Sequence, residues 1–182
     1  HFAFLHVFEL RILKAMRRGH TSRDYLGRIE TIKNASRRLS LTSDIIVGFP
    51  GETRSDFEDT LKLIASCEYD GLYIFKYSER PGTPAFKLED DVSPSEKTER
   101  FLELERLQRQ IQGRIYDGYL GREVRVLVER ESSRSNMDRM GHTTCHKVVN
   151  FPGPHVALGQ VAKIRIRTAN PNSLYGDLLE VA

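Results

Sequence analysis

The run Gly48-Phe49-Pro50-Gly51-Glu52-Thr53 carries the strongest chemical suggestion in the sequence. It follows a strand-like stretch and precedes a helix signal, so its backbone amides would gather where a polar or anionic end of a cofactor can sit. A tight turn that needs glycine for its dihedral angles explains the same residues without a ligand. The run matches neither a dinucleotide nor a triphosphate glycine pattern. Ser78, Arg80 and Thr83 follow the next strand-like stretch, where α/β folds present ligand-binding groups; a proline-rich surface loop is the plainer reading. Arg17 and Arg18 lie in a basic stretch from Arg11 to Arg38, which serves either as an anion site or as a solvated helix face.

A second chemistry is suggested near the C-terminus. Lys163, Arg165 and Arg167 recur at every second position, so in a strand they share one face. With Arg125 and Lys147 they would form a track for a phosphate backbone, and Phe151 and Tyr175 would be available to stack on bases. A solvated charged face is the alternative. The two cysteines, Cys67 and Cys145, stand 78 positions apart and form no CxxC. They offer neither a thiolate metal site nor a disulfide framework, and Cys67 reads as helix packing. Six histidines show no metal-ligand grouping. His142 and His146 are four apart in a β-rich segment, where that spacing is not expected to converge. No nucleophile–base–acid set is legible.

The elements that must hold these residues follow from periodicity. Residues 10–18 read as a short basic helix and 22–37 as a longer one behind a Thr21-x-x-Asp24 capping box. Residues 41–47 read as a strand covered on both faces, as in a parallel sheet. Thr53-x-x-Asp56 starts a helix with a Phe57, Leu61, Ile64 stripe and Asp56, Glu58 and Asp59 on its polar face. Residues 71–77 form the next strand. Helix, strand, helix, strand implies an α/β unit with parallel strands. Ser93-Pro94-Ser95-Glu96 starts a long helix whose Phe101, Leu104, Leu107, Ile111 and Ile115 share a face. Gly118 to Gly121 marks a change of period, giving domains at 1–118 and 119–182. The second reads as a small all-β unit with short strands at 124–128, 147–149, 161–168 and 173–181, and a polar loop at 131–141.

Composition bounds the rest. With 182 residues, 39% apolar and 29% charged, the chain is long enough for a core and has neither a disordered nor a membrane composition. Residues 1–40 hold nine Lys/Arg against three Asp/Glu, residues 41–90 five against ten, and residues 119–182 nine against six. The excess of +3 is compatible with an anionic partner without requiring one. No signal peptide and no transmembrane stretch is legible. A cytoplasmic location and no membrane partner are expected.

Three runs now point one way. They are Leu13-Lys14-Ala15-Met16-Arg17-Arg18-Gly19-His20-Thr21; Thr42 through Thr53 with Phe57-Glu58-Asp59-Thr60-Leu61; and Phe75-Lys76-Tyr77-Ser78 with Arg80-Pro81-Gly82-Thr83-Pro84-Ala85. Together they resemble the C-terminal half of the radical S-adenosylmethionine (SAM) domain of the MiaB-like methylthiotransferases. Lys147-Val148-Val149-Asn150-Phe151 and Asn170 through Leu178 resemble the TRAM domain of the same family.

The resemblance implies a fold: the end of a partial TIM-type radical SAM barrel, then a small OB-like TRAM barrel. It implies SAM and two 4Fe-4S clusters as cofactors, and a methylthio transfer to isopentenyl-adenosine beside the anticodon of tRNA. It assigns Arg17, Ser43, Asp44, Gly48, Tyr77 and Ser78 to the cofactor side, with Arg80 and Thr83 in the same loop. It assigns Lys147, Asn150, Phe151, Lys163, Arg165 and Asn172 to the tRNA anticodon arm. A monomer is expected. Neither cluster-binding cysteine set occurs in this sequence, so these residues alone are expected to be inactive. Residues 1–9 keep almost none of the family pattern, and Gly141-His-Thr-Thr-Cys-His146 stands where Gly-Arg-Thr-x-x-Asn is expected.

The alternatives are the sister enzyme acting on threonylcarbamoyl-adenosine, a branch modifying a ribosomal protein, a non-enzymatic tRNA-binding module using TRAM, and a decayed α/β scaffold. The Val-Val-Asn-Phe and Pro-Asn-Ser-Leu runs favour the isopentenyl-adenosine branch. Lys163, Arg165 and Arg167 argue against the ribosomal branch, whose TRAM domain is more acidic.

Overall fold

A computed structural model describes residues 22–35, 39–133 and 135–181. The helix expected over 10–18, Thr21 of the first capping box and the candidate Arg17 lie outside the described residues. The chain divides into two compact units between Ile111 and Gln112, inside one long helix.

In the first unit, helix α1 (Ser22–Lys33) carries Asp24 in its first turn and Lys33 in its last, signs that complement the helix dipole. It ends four residues before the expected position 37. The Asn34 and Ala35 amides close on the Glu30 and Ile32 carbonyls and tighten the last turn. Strand β1 (Thr42–Val47) pairs in parallel with β2 (Gly71–Lys76), in register from Thr42↔Gly71 to Val47↔Lys76. Ser43, Ile45 and Val47 alternate into the core, while Thr42, Asp44 and Ile46 take the other, half-covered face.

Helix α2 (Arg54–Cys67) links the two strands. Thr53 and Asp56 form the expected capping box: the Thr53 hydroxyl accepts from the Asp56 amide at 3.2 Å, and the Asp56 carboxylate accepts from the Thr53 amide at 2.7 Å. Asp56 is therefore buried rather than on the polar face. Phe57, Leu63, Ile64 and Cys67 form the inward stripe.

Helix α3 (Pro94–Asp117) starts at the expected Ser93, whose hydroxyl accepts from the Glu96 amide at 3.2 Å. Its buried stripe in the first unit is Lys97, Arg100, Leu104, Gln108 and Ile111, with Phe101 and Leu107 half-buried beside it. Arg54 grips Glu103 with a two-pronged ion pair at 2.8 and 3.0 Å, tying α2 to α3.

The second unit holds β3 (Glu123–Ser132), β4 (Ser135–Thr143), β5 (Val148–Pro152), β6 (Val161–Asn170) and β7 (Ser173–Val181). They hydrogen-bond in the ring order β3-β4-β5-β7-β6. The join is thinnest between β5 and β7, where only Val149↔Leu174 and Asn150↔Tyr175 pair, in parallel. Register shifts interrupt β3–β4 and β6–β7. Val126, Val128, Val149, Phe151, Ile164, Ile166 and Leu174 fill the core together with Tyr116 and Tyr119.

Two expectations are corrected. The fold class is not a partial TIM-type barrel followed by a regular OB-like barrel. It is an α/β unit plus an irregular five-stranded β-barrel that closes in the order β3-β4-β5-β7-β6. Among the described residues the first unit has a single two-stranded parallel sheet, and a barrel wall needs a continuous ring of tilted strands that two strands do not supply. The polar stretch 131–141 is not a loop but the tip of a hairpin. Glu131, Asn136 and Met137 face solvent there, so pairing rather than burial sets the conformation.

Gly141 shows how tightly that hairpin packs. A Cβ on it would lie 1.9 Å from the Leu127 carbonyl oxygen of the facing strand, a backbone atom that has no room to yield. Gly141→Ala is expected to destabilise the second unit by about 2–4 kcal/mol. Chemical denaturation of the whole chain checks this, and an unchanged midpoint would refute the packing account.

Candidate functional site

In the first unit, the turn after β1 is built around a buried ion pair. Glu52 and Arg100 have side chains 0% and 2% exposed. Arg100 Nη1 donates to Glu52 Oε2 at 2.5 Å and to the Glu52 carbonyl at 3.0 Å. Its Nη2 donates to the Glu96 carboxylate. The Gly48 amide donates to the same Glu52 Oε2 at 2.5 Å, folding the turn back on itself. Burial pushes the Glu52 carboxyl above its ordinary value, while the Arg100 guanidinium and the Gly48 amide pull the other way.

Around this pair sits a second cluster. Gly48 has φ +71°, and a Cβ on it would lie 2.3 Å from Lys97 Cγ. Lys97 continues past it to bind Asp90 at 2.7 and 2.5 Å, and its ammonium lies 5.2 Å from the Tyr77 ring centroid. Tyr77 packs edge-on against Phe49 at 5.2 Å and donates its hydroxyl to the Ala85 carbonyl at 3.3 Å. Burial, with Asp90 and Glu79 nearby, raises the Tyr77 phenol above its ordinary value.

Among the described residues the structure brings Gly48 and Tyr77 together at the ends of β1 and β2, where the Tyr77 amide donates to the Val47 carbonyl at 2.9 Å, but it sets Ser43 and Asp44 apart. Ser43 and Asp44 lie on opposite faces of β1, because successive side chains in a strand alternate. Ser43 is buried toward the core, and Asp44 stands opposite Tyr73 on the other face. Gly48 lies under the Lys97 stem. Tyr77 is engaged with Phe49, Lys97 and Ala85. Ser78 and Arg80 are exposed, and Thr83 turns its hydroxyl back to the Arg80 carbonyl at 2.8 Å.

Sequence reasoning missed Tyr73 and Phe75, 61% and 52% exposed, which share the half-covered sheet face with Asp44 and Ile46. Their alternation along β2 was the available signal. Among the described residues no three His, Cys, Asp or Glu side chains gather as a metal site. Cys67 and Cys145 belong to different units. Two cysteines outside any CxxxCxxC motif supply no iron–sulfur ligand set in this sequence.

In the second unit, the basic stripe on β6 exists but is laced with acids. Lys163 and Arg165 both bind Glu123 at 2.7 Å, and Arg167 binds Asp177. Arg125 faces Lys163 across the β3–β6 pair. All are exposed, so water and salt screen each pair and a competing phosphate can displace it.

The other RNA-side expectations divide. Asn172 is exposed in the β6–β7 turn. Asn150 is half-buried and accepts from the Ser132 hydroxyl at 3.0 Å. Phe151 is corrected: it is fully buried in the core and has no ring face to offer a base. Lys147 is corrected likewise. It is 3% exposed, with its ammonium 5.2 Å from the Tyr116 ring centroid. Tyr175 is half-buried on β7.

The comparisons with known proteins agree with this two-part architecture. The TRAM domain model matches residues 118–179, and the Radical SAM superfamily model matches residues 4–64. So the chain pairs radical SAM sequence with a TRAM domain. It is similar to tRNA-2-methylthio-N(6)-dimethylallyladenosine synthase of Pseudoalteromonas translucida, 46% identical over 169 residues, which is 93% of this chain and 35% of that protein. The enzymes of the same name from Acetivibrio thermocellus and Aquifex aeolicus are 43% and 41% identical, over 93% and 94% of this chain and 35% and 38% of theirs. The chain belongs to the MiaB-like radical SAM/TRAM family and spans little more than a third of the length of these relatives.

The shared Glu123 gives a direct check on the ionic stripe. Hydrogen bonds from Lys163 and then Arg165 hold its carboxyl below the ordinary glutamate value. A depressed folded value means that the contribution to stability is present at neutral pH and lost as pH falls through it. In a carboxyl carbon NMR titration Glu123 is expected to titrate below exposed glutamates, and to move up in Lys163→Ala. An ordinary midpoint in both proteins would show the stripe to be unpaired in solution.

Proposed function

We propose that this chain is part of an enzyme that transfers a methylthio group to N6-dimethylallyladenosine (isopentenyl-adenosine) in tRNA. The observation that carries the reading is identity of 41–46% along 92–94% of the chain with enzymes bearing that name. SAM and two 4Fe-4S clusters would supply the radical and the sulfur chemistry; their cysteine ligands do not occur in this sequence.

The roles proposed for these residues are structural and RNA-directed. The first unit supplies a strand–turn–helix–strand piece of the radical SAM domain, with Asp44, Tyr73 and Phe75 on its half-covered face. The second unit supplies an exposed stripe of Lys163, Arg165 and Arg167, with Asn172 in an adjoining turn, to hold the tRNA anticodon arm. Expected partners are thus tRNA and no membrane. Among the described residues no helix is long and apolar enough to cross one. A cytoplasmic monomer completes the proposal.

Nucleoside mass spectrometry of tRNA tests the proposal. Disrupting this gene in the source cells is expected to remove the methylthio group from N6-dimethylallyladenosine, and adding back only these 182 residues is expected not to restore it. Loss from threonylcarbamoyl-adenosine instead would assign the sister reaction. No change in either nucleoside would overturn the enzymatic reading.

A further inference from the structure

Strand β4 ends at Thr143, and the chain turns tightly into β5. The turn is closed by three bonds: the Thr143 amide to the Lys147 carbonyl at 3.0 Å, the His146 amide to the Thr143 carbonyl at 2.9 Å, and the Lys147 amide to the Thr143 hydroxyl at 3.0 Å. His146 sits in it at φ +57°, a left-handed conformation uncommon outside glycine. That conformation lays its ring flat on His142. The two imidazoles are 4.3 Å apart between centroids and only 10° from parallel. His142 is fixed from behind by Glu129, 2.8 Å from its Nδ1.

The pair has a particular setting. His142 lies in register with Leu127, and Leu127 with Val161 of β6; Val148 of β5 flanks His142 on its other side. Leu127 is 47% exposed, and His146 is exposed. The outer surface here is an apolar band ending in a pre-stacked pair of rings. One step along the same strands, Arg125 and Lys163 face each other in register, both exposed. Parallel rings direct their nitrogen lone pairs side by side instead of toward a common point, which disfavours a metal and favours a flat ligand.

We propose that His146, stacked on His142, is a platform for an unpaired RNA base, with Arg125 and Lys163 taking the adjoining phosphates. The chemistry is that of single-stranded RNA recognition. A planar side chain whose orientation is already fixed receives a base face at low entropic cost, and cations beside it follow the backbone. A base inside a duplex has both faces covered by its stacked neighbours. The platform should therefore recognise loops and not duplexes. This inference rests on the RNA-binding reading above and narrows it to one contact.

The test uses the whole 182-residue chain and two labelled RNAs of equal charge, a hairpin with an unpaired adenosine-containing loop and a blunt duplex. The control substitution is His146→Asn, which tolerates a left-handed backbone but cannot stack as a ring, with circular dichroism verifying the fold. The expected result is a roughly 5- to 50-fold weaker hairpin affinity with duplex affinity unchanged. The His146 ring protons of the parent chain should also move upfield when the hairpin binds and stay in place with the duplex. Equal affinity of parent and variant for the hairpin would overturn the platform while leaving RNA binding intact. Equal weakening toward both RNAs would also overturn it, as would unmoved ring protons. If the parent chain binds neither RNA at low salt, the RNA reading itself falls and the platform with it.

Discussion

The ion pair between Glu52 and Arg100 is the interaction on which the first unit depends. Both groups are removed from water, a cost that the meeting of the charges offsets although Glu52 Oε1 and Arg100 Nε are left without a hydrogen-bond partner among the described residues. The Glu52 carboxylate collects the Gly48 amide and the Arg100 guanidinium on one oxygen, and Arg100 returns a second bond to the Glu52 carbonyl. The end of β1, the start of α2 and the first turns of α3 are thereby joined at one point. The Gly-Phe-Pro-Gly-Glu turn is in this respect a structural lock. Its glycine is needed because the backbone is left-handed there and the Lys97 stem runs over it.

The second unit is organised differently. Its core is apolar, and its charges are arranged on the outer faces of strands, in pairs weak enough to be exchanged. Lys163 and Arg165 share Glu123, and Glu180 stands across from Lys163 on β7, so exposed acids offset the stripe's charge in the free protein. A surface of this kind can hold a polyanion without being strongly unfavourable in its absence. Rigid recognition then falls to groups whose orientation is fixed by the backbone, as the left-handed turn at His146 fixes its ring.

Local signals in the sequence were legible where local physics decides the outcome. The Thr53 and Ser93 caps, the parallel pairing of the two apolar strands and the alternation along β6 all follow from spacing and residue type. Failures came where a long-range partner changes the meaning of a residue. The apolar stripe expected on the long helix leaves out Lys97 and Arg100, yet they share the buried spacing of Leu104 and Ile111 because Asp90 and Glu52 meet them. Phe151 reads as a base-stacking ring, yet it lies two positions from Val149 and so points inward with it. The hairpin at 131–141 is polar because its tip faces water, and composition alone does not separate that from a loop. Ser43 and Asp44, adjacent in sequence, point to opposite faces of β1, so one turns into the core and the other onto the half-covered face. His142 and His146 converge only because the turn between them is left-handed.

Backbone amide hydrogen exchange tests the lock most directly, read at Gly48 and Glu52 in the parent chain and in Arg100→Met. With the ion pair in place, the Gly48 amide should be strongly protected, and removing the guanidinium should speed its exchange roughly a hundredfold. Amides of the second unit, such as Ile164, should keep their rates. A Gly48 amide that exchanges at the same rate in both proteins would contradict the account, because the turn would then be held by something other than Glu52 and Arg100.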